Sequence, residues 1–455
     1  MAISNAHAYA LDRLADLIAK ARHAGADAAD AVLVDSTSLS VAWRMGALER
    51  LERSESGDIG LRVFIGKRQA IVSASVSARD QGTRVRDELV ERAIAMARAV
   101  PEDPFCGLAD PGELAVELVD LDTCDPLEPS AETLVNRVRD AEGAALAVAG
   151  VTNSEGAEAG WSRSGVAVAA SNGFAHAYDG SGVSLSASVI AGNGETGLER
   201  DYDYDTAVYF SELRPAEAIG HLAGTRAVAR LGARKVMTQA VPVIYDQRVS
   251  RGLLSHLTSA INGAAIARGT SWLKDRMGQA VFAPGITVVE DPHRVRGLRS
   301  RPCDGEGVTN RRANLIEDGI LTTWLLDLRS ARQLGLHSNG HAVRGTSSPP
   351  SPAPSNVYLE AGSVSPEELI AGIQNGFFVT ELFGMGINGI TGDYSRGAAG
   401  LWIENGKLSY PVSEVTVAGN LKDMFKALVP ANDLTFRHGI DCPTVRIDGM
   451  TVGGR

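Results

Sequence analysis

A histidine on an amphipathic helix is a natural place for a hydrolytic metal, and the stretch SRGLLSHLTSAINGAA, residues 250–265, carries one at His256. Val249, Leu253, Leu257, Ala260, Ile261 and Ala264 fall on one stripe at helical spacing, which predicts a buried face with His256 at its edge. A metallopeptidase helix needs a second histidine about one turn on, and a glutamate that takes the proton from metal-bound water. Here Leu257 follows the histidine, and Ala260 and Ile261 stand one turn further. None of the nine histidines is followed by glutamate. His256 therefore reads as a histidine bordering a core.

Three other constellations are weaker. His337 and His341, in LGLHSNGHAVRG, are four apart, the spacing that stacks two ligands on one helix face. Ser-Asn-Gly between them breaks a helix, so a polar loop is expected. Gly384 to Gly389 satisfies G-x-G-x-x-G, with Glu404 downstream, but the continuation ITGDYSRGAAGLW has no helical period to receive a pyrophosphate. No G-x-S-x-G elbow occurs, and Ser395 in GDYSRG lacks a strand-to-helix setting; a triad converging from distant positions stays open. Cys106, Cys124, Cys303 and Cys442 form no C-x-x-C pair, which points to reduced thiols.

The formal net charge of −11 argues against a phosphate-backbone partner, and the densest basic run, HRVRGLRSR at 293–301, is short. No segment is long and apolar enough to span a bilayer. The N-terminus MAISNAHAYALDRLADLIAKA reads as an amphipathic helix rather than a signal peptide, so a cytoplasmic protein is expected.

The elements that must position these residues follow from periodicity. A helix over 5–24 precedes two short strands, DAVLVD and SLSVAW, then a hairpin turning at Gly66-Lys67-Arg68, then a helix near 83–99 carrying Val85, Leu89, Val90, Ala93 and Ala97. Residues 101–130, rich in Pro, Asp and Gly, read as a linker. Helices at 131–149 and about 214–232 bracket antiparallel strands in which Val183, Leu185, Ala187 and Val189 share one face. Asp-Gly in LIEDGILTTWLLD and Asn-Gly in LWIENGKLSYPVSEVTV mark hairpins, and Asn420 is placed to cap the helix LKDMFKAL. The segment RGTSSPPSPAPSNVYL is expected to stay extended, outside any central strand. The chain thus divides into an N-terminal α+β domain (1–100), a linker (101–130), a middle α+β segment (131–235) and a β-rich C-terminal domain (236–455). The class is α+β: an N-terminal α/β part with small antiparallel sheets, and a mostly antiparallel β C-terminal domain containing a central helix.

GITGDYSRGAAGLWIENGKLSYPVSEVTVAGNLKDM resembles the C-terminal signature of the TldD/PmbA family, the modulator of DNA gyrase family, in its PmbA or TldE branch. GLRVFIGKRQAIVS, CDGEGVTNRRANLIEDGILTTWLLDLRSARQLGL and the closing TVGG extend the likeness over nearly the whole chain. The resemblance implies a cytoplasmic heterodimeric metalloprotease of two homologous subunits. In the TldD partner a helix carries H-E-x-x-x-H and a later cysteine completes the zinc site. The helix around His256 is similar to that helix, yet lacks its glutamate and histidine pair, and Cys442, in DCPTVRID, is not the counterpart of the metal cysteine. The resemblance therefore implies a subunit with no cofactor of its own and a zinc-bearing TldD-like partner. Unfolded peptides, antitoxins and peptide-antibiotic precursors among them, are the implied substrates. It links the family to DNA gyrase by genetics, but the acidic balance argues against direct contact with nucleic acid, and no membrane association is expected. Homodimers in isolation fit the same picture.

No catalytic residue is assigned to this chain. His341, Arg344, Asp393, Tyr394 and Arg396 are the candidates for lining a shared cavity, with His256 as the degenerate metal-helix position. A competing reading pairs Asp393 with Arg396 to fix a glycine-rich turn. Rival functions are a self-sufficient homodimeric hydrolase with an unrecognised site and a non-catalytic peptide-binding module.

Overall fold

The computed structural model describes residues 5–76, 83–194 and 197–455. The first half contains α1 (Asn5–His23), β1 (Ala28–Arg44), β2 (Ala47–Ile65), β3 (Arg68–Ser75), α2 (Thr83–Ala99), α3 (Ala131–Leu146), β4 (Val151–Ala170), β5 (Ala175–Asn193), β6 (Gly197–Ala207) and α4 (Ala216–Ala229). The strands form one antiparallel sheet in the order β3-β2-β1-β4-β5-β6, so segments on both sides of residues 101–130 share it.

DAVLVD and SLSVAW are not two strands but one. The polar Ser36-Thr37-Ser38 between them stays in the ladder, paired with β2 on one side and β4 on the other. The Ser36 and Ser164 hydroxyls meet at 3.1 Å, which satisfies groups that in isolation resemble a turn. Alternation then divides the sheet faces. Ala29, Ala31 and Leu33, then Leu39 and Val41, lie under the helices in two adjoining cores. One holds Leu14, Leu17, Leu61 and Leu89; the other holds Leu134, Val138, Leu185 and Ile219. Val183, Leu185, Ala187 and Val189 are all buried there, as their alternation predicts, and so are Leu89, Val90, Ala93 and Ala97. Val85 lies outside the residues whose side chains are described.

The C-terminal half runs β7 (Gln239–Tyr245), α5 (Gln247–Ala260), α6 (Gly263–Ala267), β8 (Val288–Glu290), β9 (Ala313–Glu317), β10 (Ile320–Leu321), α7 (Leu328–Leu334), β11 (Ala342–Val343), β12 (Ser351–Pro352), β13 (Val357–Leu359) and α8 (Pro366–Ala371). It ends with β14 (Asn375–Phe383), β15 (Asp393–Glu404), β16 (Lys407–Asn420), α9 (Leu421–Lys426), β17 (Leu428–Pro430), β18 (Ile440–Asp441) and β19 (Val445–Gly453). One sheet has the order β16-β15-β14-β7-β19-β17, and an added β16–β19 pairing curls it back on itself. A second has the order β10-β9-β8-β13-β18. Pairing is antiparallel except for β14 with β7 and β13 with β18. Between the sheets lies α5, packed on β7 and β14 from one and on β13 and β18 from the other. The α+β class and the central helix are as the sequence predicts.

Both hairpin turns form where Asp-Gly and Asn-Gly predict them, with positive φ at Asp318, Gly319, Asn405 and Gly406. Asn420 caps α9, its side chain accepting from Lys422 N at 3.0 Å. The proline-rich segment differs from expectation at its end. Its prolines stay outside the large sheets, with Pro352 in the small β11–β12 ribbon, but Val357–Leu359 lie between β8 and β18. Proline forbids a central strand only where it stands, and three residues free of it suffice. Among the described residues no helix is long and apolar enough to cross a membrane.

Candidate functional site

Helix α5 starts directly after β7, with Asp246 as N-cap accepting from Arg248 N at 2.9 Å. Its buried stripe, Leu253, Leu254, Leu257 and Ala260, anchors it in the core. The helix does not continue through residue 265. It stops after Ala260, and Asn262 starts α6, its Oδ1 accepting from Ala264 N and Ala265 N while its amide donates to Pro352 O at 2.7 Å. Gly263 is needed at this break, since a Cβ there would come within 2.7 Å of Leu325 O and the Leu326 and Ser330 side chains.

His256 is half-buried at the edge of that stripe, where the spacing puts it. Its ring stands edge-on to Tyr394, with centroids 6.0 Å apart. Tyr394 is itself buried, as is Tyr245 from β7, whose hydroxyl donates to Met450 Sδ at 3.4 Å; burial pushes both phenols up in pKa. Burial, and then the positive charge of Arg396, lower the His256 imidazole to about 4. A cavity of about 90 Å³ opens beside it, lined by His256, Ser259, Trp272, Ile387 and Gly389 among others.

Tyr394 and Arg396 are two apart on β15 and share a face, which brings both toward His256; Asp393 points the other way. Asp393 is exposed, accepts from Thr391 Oγ1 at 2.6 Å and Asn420 Nδ2 at 3.0 Å, and these bonds hold its carboxyl below the ordinary range. It does fix a turn, but its partners are Thr391 and Asn420 rather than Arg396. The Arg396 guanidinium donates to Leu382 O at 3.4 Å.

His341 and Arg344 do not line the cavity beside His256; both are buried in ion pairs. His341 lies between Asn339 Oδ1, at 2.6 Å, and the Glu290 carboxylate. Glu290 also accepts from Ser355 N, and these partners together draw its pKa down despite its burial. The Arg344 Nη1 sits 2.8 Å from Asp30 Oδ1, and Arg62 donates to the same carboxylate from Nε. Glu306 approaches Arg62 at 3.6 Å, and burial pushes the carboxyls of Glu306 and its neighbour Asp304 up. This cluster joins the sheet face away from the helices to the C-terminal domain. Asp30, Arg62 and Glu306 went unnoticed in the sequence, where even-numbered charges among apolar neighbours in DAVLVD and LRVFI were the available signal. His337 is exposed, remote in role from its sequence neighbour.

A second charged bracket holds α5. Asp201, Asp203 and Asp205 alternate along β6 and are buried. Arg248, in the first turn of α5, donates to Asp201 at 2.6 Å and to Thr380 O at 2.9 Å, and Arg230 reaches Asp201, Glu199 and Glu381.

A zinc ion does not fit the side chains around His256. Among the described residues no three His, Cys, Asp or Glu side chains converge to hold a metal, and the Arg396 charge acting on the imidazole opposes a divalent cation. Cys442 is buried, its thiol pushed up to about 12 by burial.

The fold, with its core helix between two sheets, is that of a metallopeptidase family. Residues 29–97, 124–231 and 238–454 match, in turn, domain 1, the central domain and the C-terminal domain of the PmbA/TldA metallopeptidases. Metalloprotease PmbA of Escherichia coli O157:H7 is 39% identical over 433 residues, covering 94% of this chain and 93% of its own. A PmbA homologue of Haemophilus influenzae is 36% identical over 439 residues, covering 95% and 94%. A TldD homologue of the same organism is more distant, 26% identical over 265 residues, or 54% and 53% of the two chains. A crystal structure of a candidate modulator of DNA gyrase from Bacteroides thetaiotaomicron superposes with a TM-score of 0.89 at 26% identity, covering 100% of both chains. The chain belongs to the PmbA/TldD family.

Proposed function

We propose that this chain is the metal-free subunit of a two-subunit PmbA/TldD-type peptidase, working in the cytoplasm on unfolded peptides. A TldD-like partner would hold the zinc, activate water and cleave the peptide bond. The supporting observation is the helix itself: α5 keeps a fully packed inner face, while its outer edge offers one histidine turned onto Tyr394 beside a guanidinium. Such a surface can close and shape a shared cavity but supplies no general base to a bound water. The presence in Haemophilus influenzae of both a PmbA homologue and a TldD homologue similar to this chain agrees with paired subunits. Antitoxins and peptide-antibiotic precursors are the substrates we propose, since an enclosed site admits extended chains and excludes folded ones.

The test measures zinc content and peptide cleavage for the purified chain alone, then after co-purification with a TldD-like partner. Zinc and chelator-sensitive cleavage are expected only in the assembly. Stoichiometric zinc with chelator-sensitive cleavage in the isolated chain overturns the reading.

A further inference from the structure

Where β6 passes the first turns of α5, the segment 433–444 closes a cavity of about 220 Å³. Its walls are tied together. Gln247 donates from its side-chain amide to Asp433 O and accepts from Thr435 Oγ1 at 3.2 Å. Asp433 accepts from Thr444 N at 2.9 Å and from Thr444 Oγ1 at 2.8 Å. Arg226 and Arg248 also line the cavity, and their charges are met by Asp203 and Asp201.

Two further guanidiniums in the lining are not met. Arg251 stands one turn beyond Arg248 on α5, half-buried, with its guanidinium 5.8 Å from the centre of the Tyr204 ring. Arg437 is exposed. Among the described residues neither guanidinium has a carboxylate or carbonyl partner. The charge of Arg251 acts on its surroundings accordingly. Burial, and then Arg251, lower the His438 imidazole to about 4; burial, Arg301 and Arg251 lower the Arg299 guanidinium.

Acceptor capacity is left over in the same lining. Asp246 uses Oδ1 to cap α5, and Asp441 uses Oδ1 to accept from Arg437 N at 3.0 Å and His438 N at 2.8 Å. The other oxygen of Asp441 is buried without a hydrogen bond, with Arg294 Nη1 3.7 Å away. A buried carboxylate oxygen in that state lacks a donor.

Two unpaired cations, beside carboxylates with lone pairs to fill, complement a small ligand bearing two carboxylates and an ammonium. A phosphate dianion has no ammonium to set against the carboxylates of Asp246 and Asp441. We propose that this cavity binds an acidic α-amino acid, aspartate or glutamate, with its two carboxylates on Arg251 and Arg437 and its ammonium on Asp246 and Asp441. The cavity shares no lining residue with the one beside His256, and the proposal stands whether or not the chain serves a protease.

Isothermal titration calorimetry of the full chain with L-glutamate and with L-aspartate tests it. Saturable one-to-one binding with a Kd at or below about 1 mM is expected for at least one of the two. The amides L-glutamine and L-asparagine, and the N-acetylated acids, should each bind at least about tenfold more weakly, having lost a carboxylate or the ammonium. Arg251→Gln should weaken binding at least about tenfold and Arg437→Gln at least about threefold. Melting temperatures should stay unchanged, since neither guanidinium is bonded within the chain, and the exposed position of Arg437 keeps the test valid if Arg251→Gln folds poorly. No saturation by either amino acid up to about 10 mM overturns the proposal. Binding indifferent to both substitutions, or inorganic phosphate or an N-acetylated acid bound as tightly as the amino acid, overturns it equally.

Discussion

The imidazole of His256 stands edge-on to the phenol ring of Tyr394, their planes at 68°. An aromatic contact of this kind uses the ring as a packing surface, and Tyr394 is itself buried. His256 is thus part of a packed wall, and its titration reports that setting.

His256 titrates near 4 in the folded chain, below the value near 6.5 of a free histidine. The unfolded chain therefore binds the proton more tightly, so the stability given by the neutral ring is fully present above about 6.5 and declines as pH falls toward 4. His256→Gln should flatten the Tm profile across that window, by about 2 kcal/mol once partial exposure is discounted. Arg396→Gln should raise the His256 pKa in an NMR titration. A histidine that titrates normally in the wild type removes the burial argument.

At the break between α5 and α6 there is no room for a side chain. Gly263→Ala should destabilise by about 1–3 kcal/mol, since the contacts include the Leu325 backbone carbonyl, which cannot turn aside. Asn262→Ala removes the cap of α6 and the bond to Pro352 O, and about 1–2 kcal/mol is expected. Urea denaturation midpoints check both; a neutral Gly263→Ala would mean that the two segments pack less closely than described.

The Glu290–His341 pair is buried, so His341→Ala leaves a carboxylate without its main partner. A loss of about 3–5 kcal/mol is expected, with faster proteolysis in the 344–356 segment that Ser355 tethers to Glu290. Glu290 has a depressed pKa, so its contribution is present above the ordinary glutamate range and disappears as pH falls through the lower folded value. Limited proteolysis that finds no change would show that the tether is redundant.

Asp201 and Arg248 tie the edge of the N-terminal sheet to the first turn of α5. A double-mutant cycle with Asp201→Asn and Arg248→Gln should return a coupling of about 1–3 kcal/mol, because the charges are buried and share no bulk-water screening. Additive effects would mean that Arg230 alone holds Asp201.

Much of this molecule is local and was legible as such. Asn405-Gly406 and Asp318-Gly319 turn because both residues tolerate positive φ, and Asn420 caps because its side chain reaches the next amides; neither depends on distant residues. Leu253, Leu257 and Ala260 are buried on α5 as their spacing predicts, whereas Val249 is only half-buried and the buried Leu254 lies off the predicted stripe. The polar run at 36–38 misled because its hydroxyls are satisfied by strands far along the chain, and α5 was read too long because the bond from Asn262 to Pro352 O cannot be seen in a helical period.

What the sequence by itself determined was the family, the mixed class, the hairpins and the absence of a histidine–glutamate pair on the helix, since each is written in adjacent residues. The tertiary structure decided which candidates meet. Strand alternation put Tyr394 and Arg396 at His256 and turned Asp393 to solvent, while His341 and Arg344 went into buried charge pairs with Glu290 and Asp30, residues 51 and more than 300 positions away. Contacts of that range depend on how sheets pack, and packing is a property of the whole folded chain.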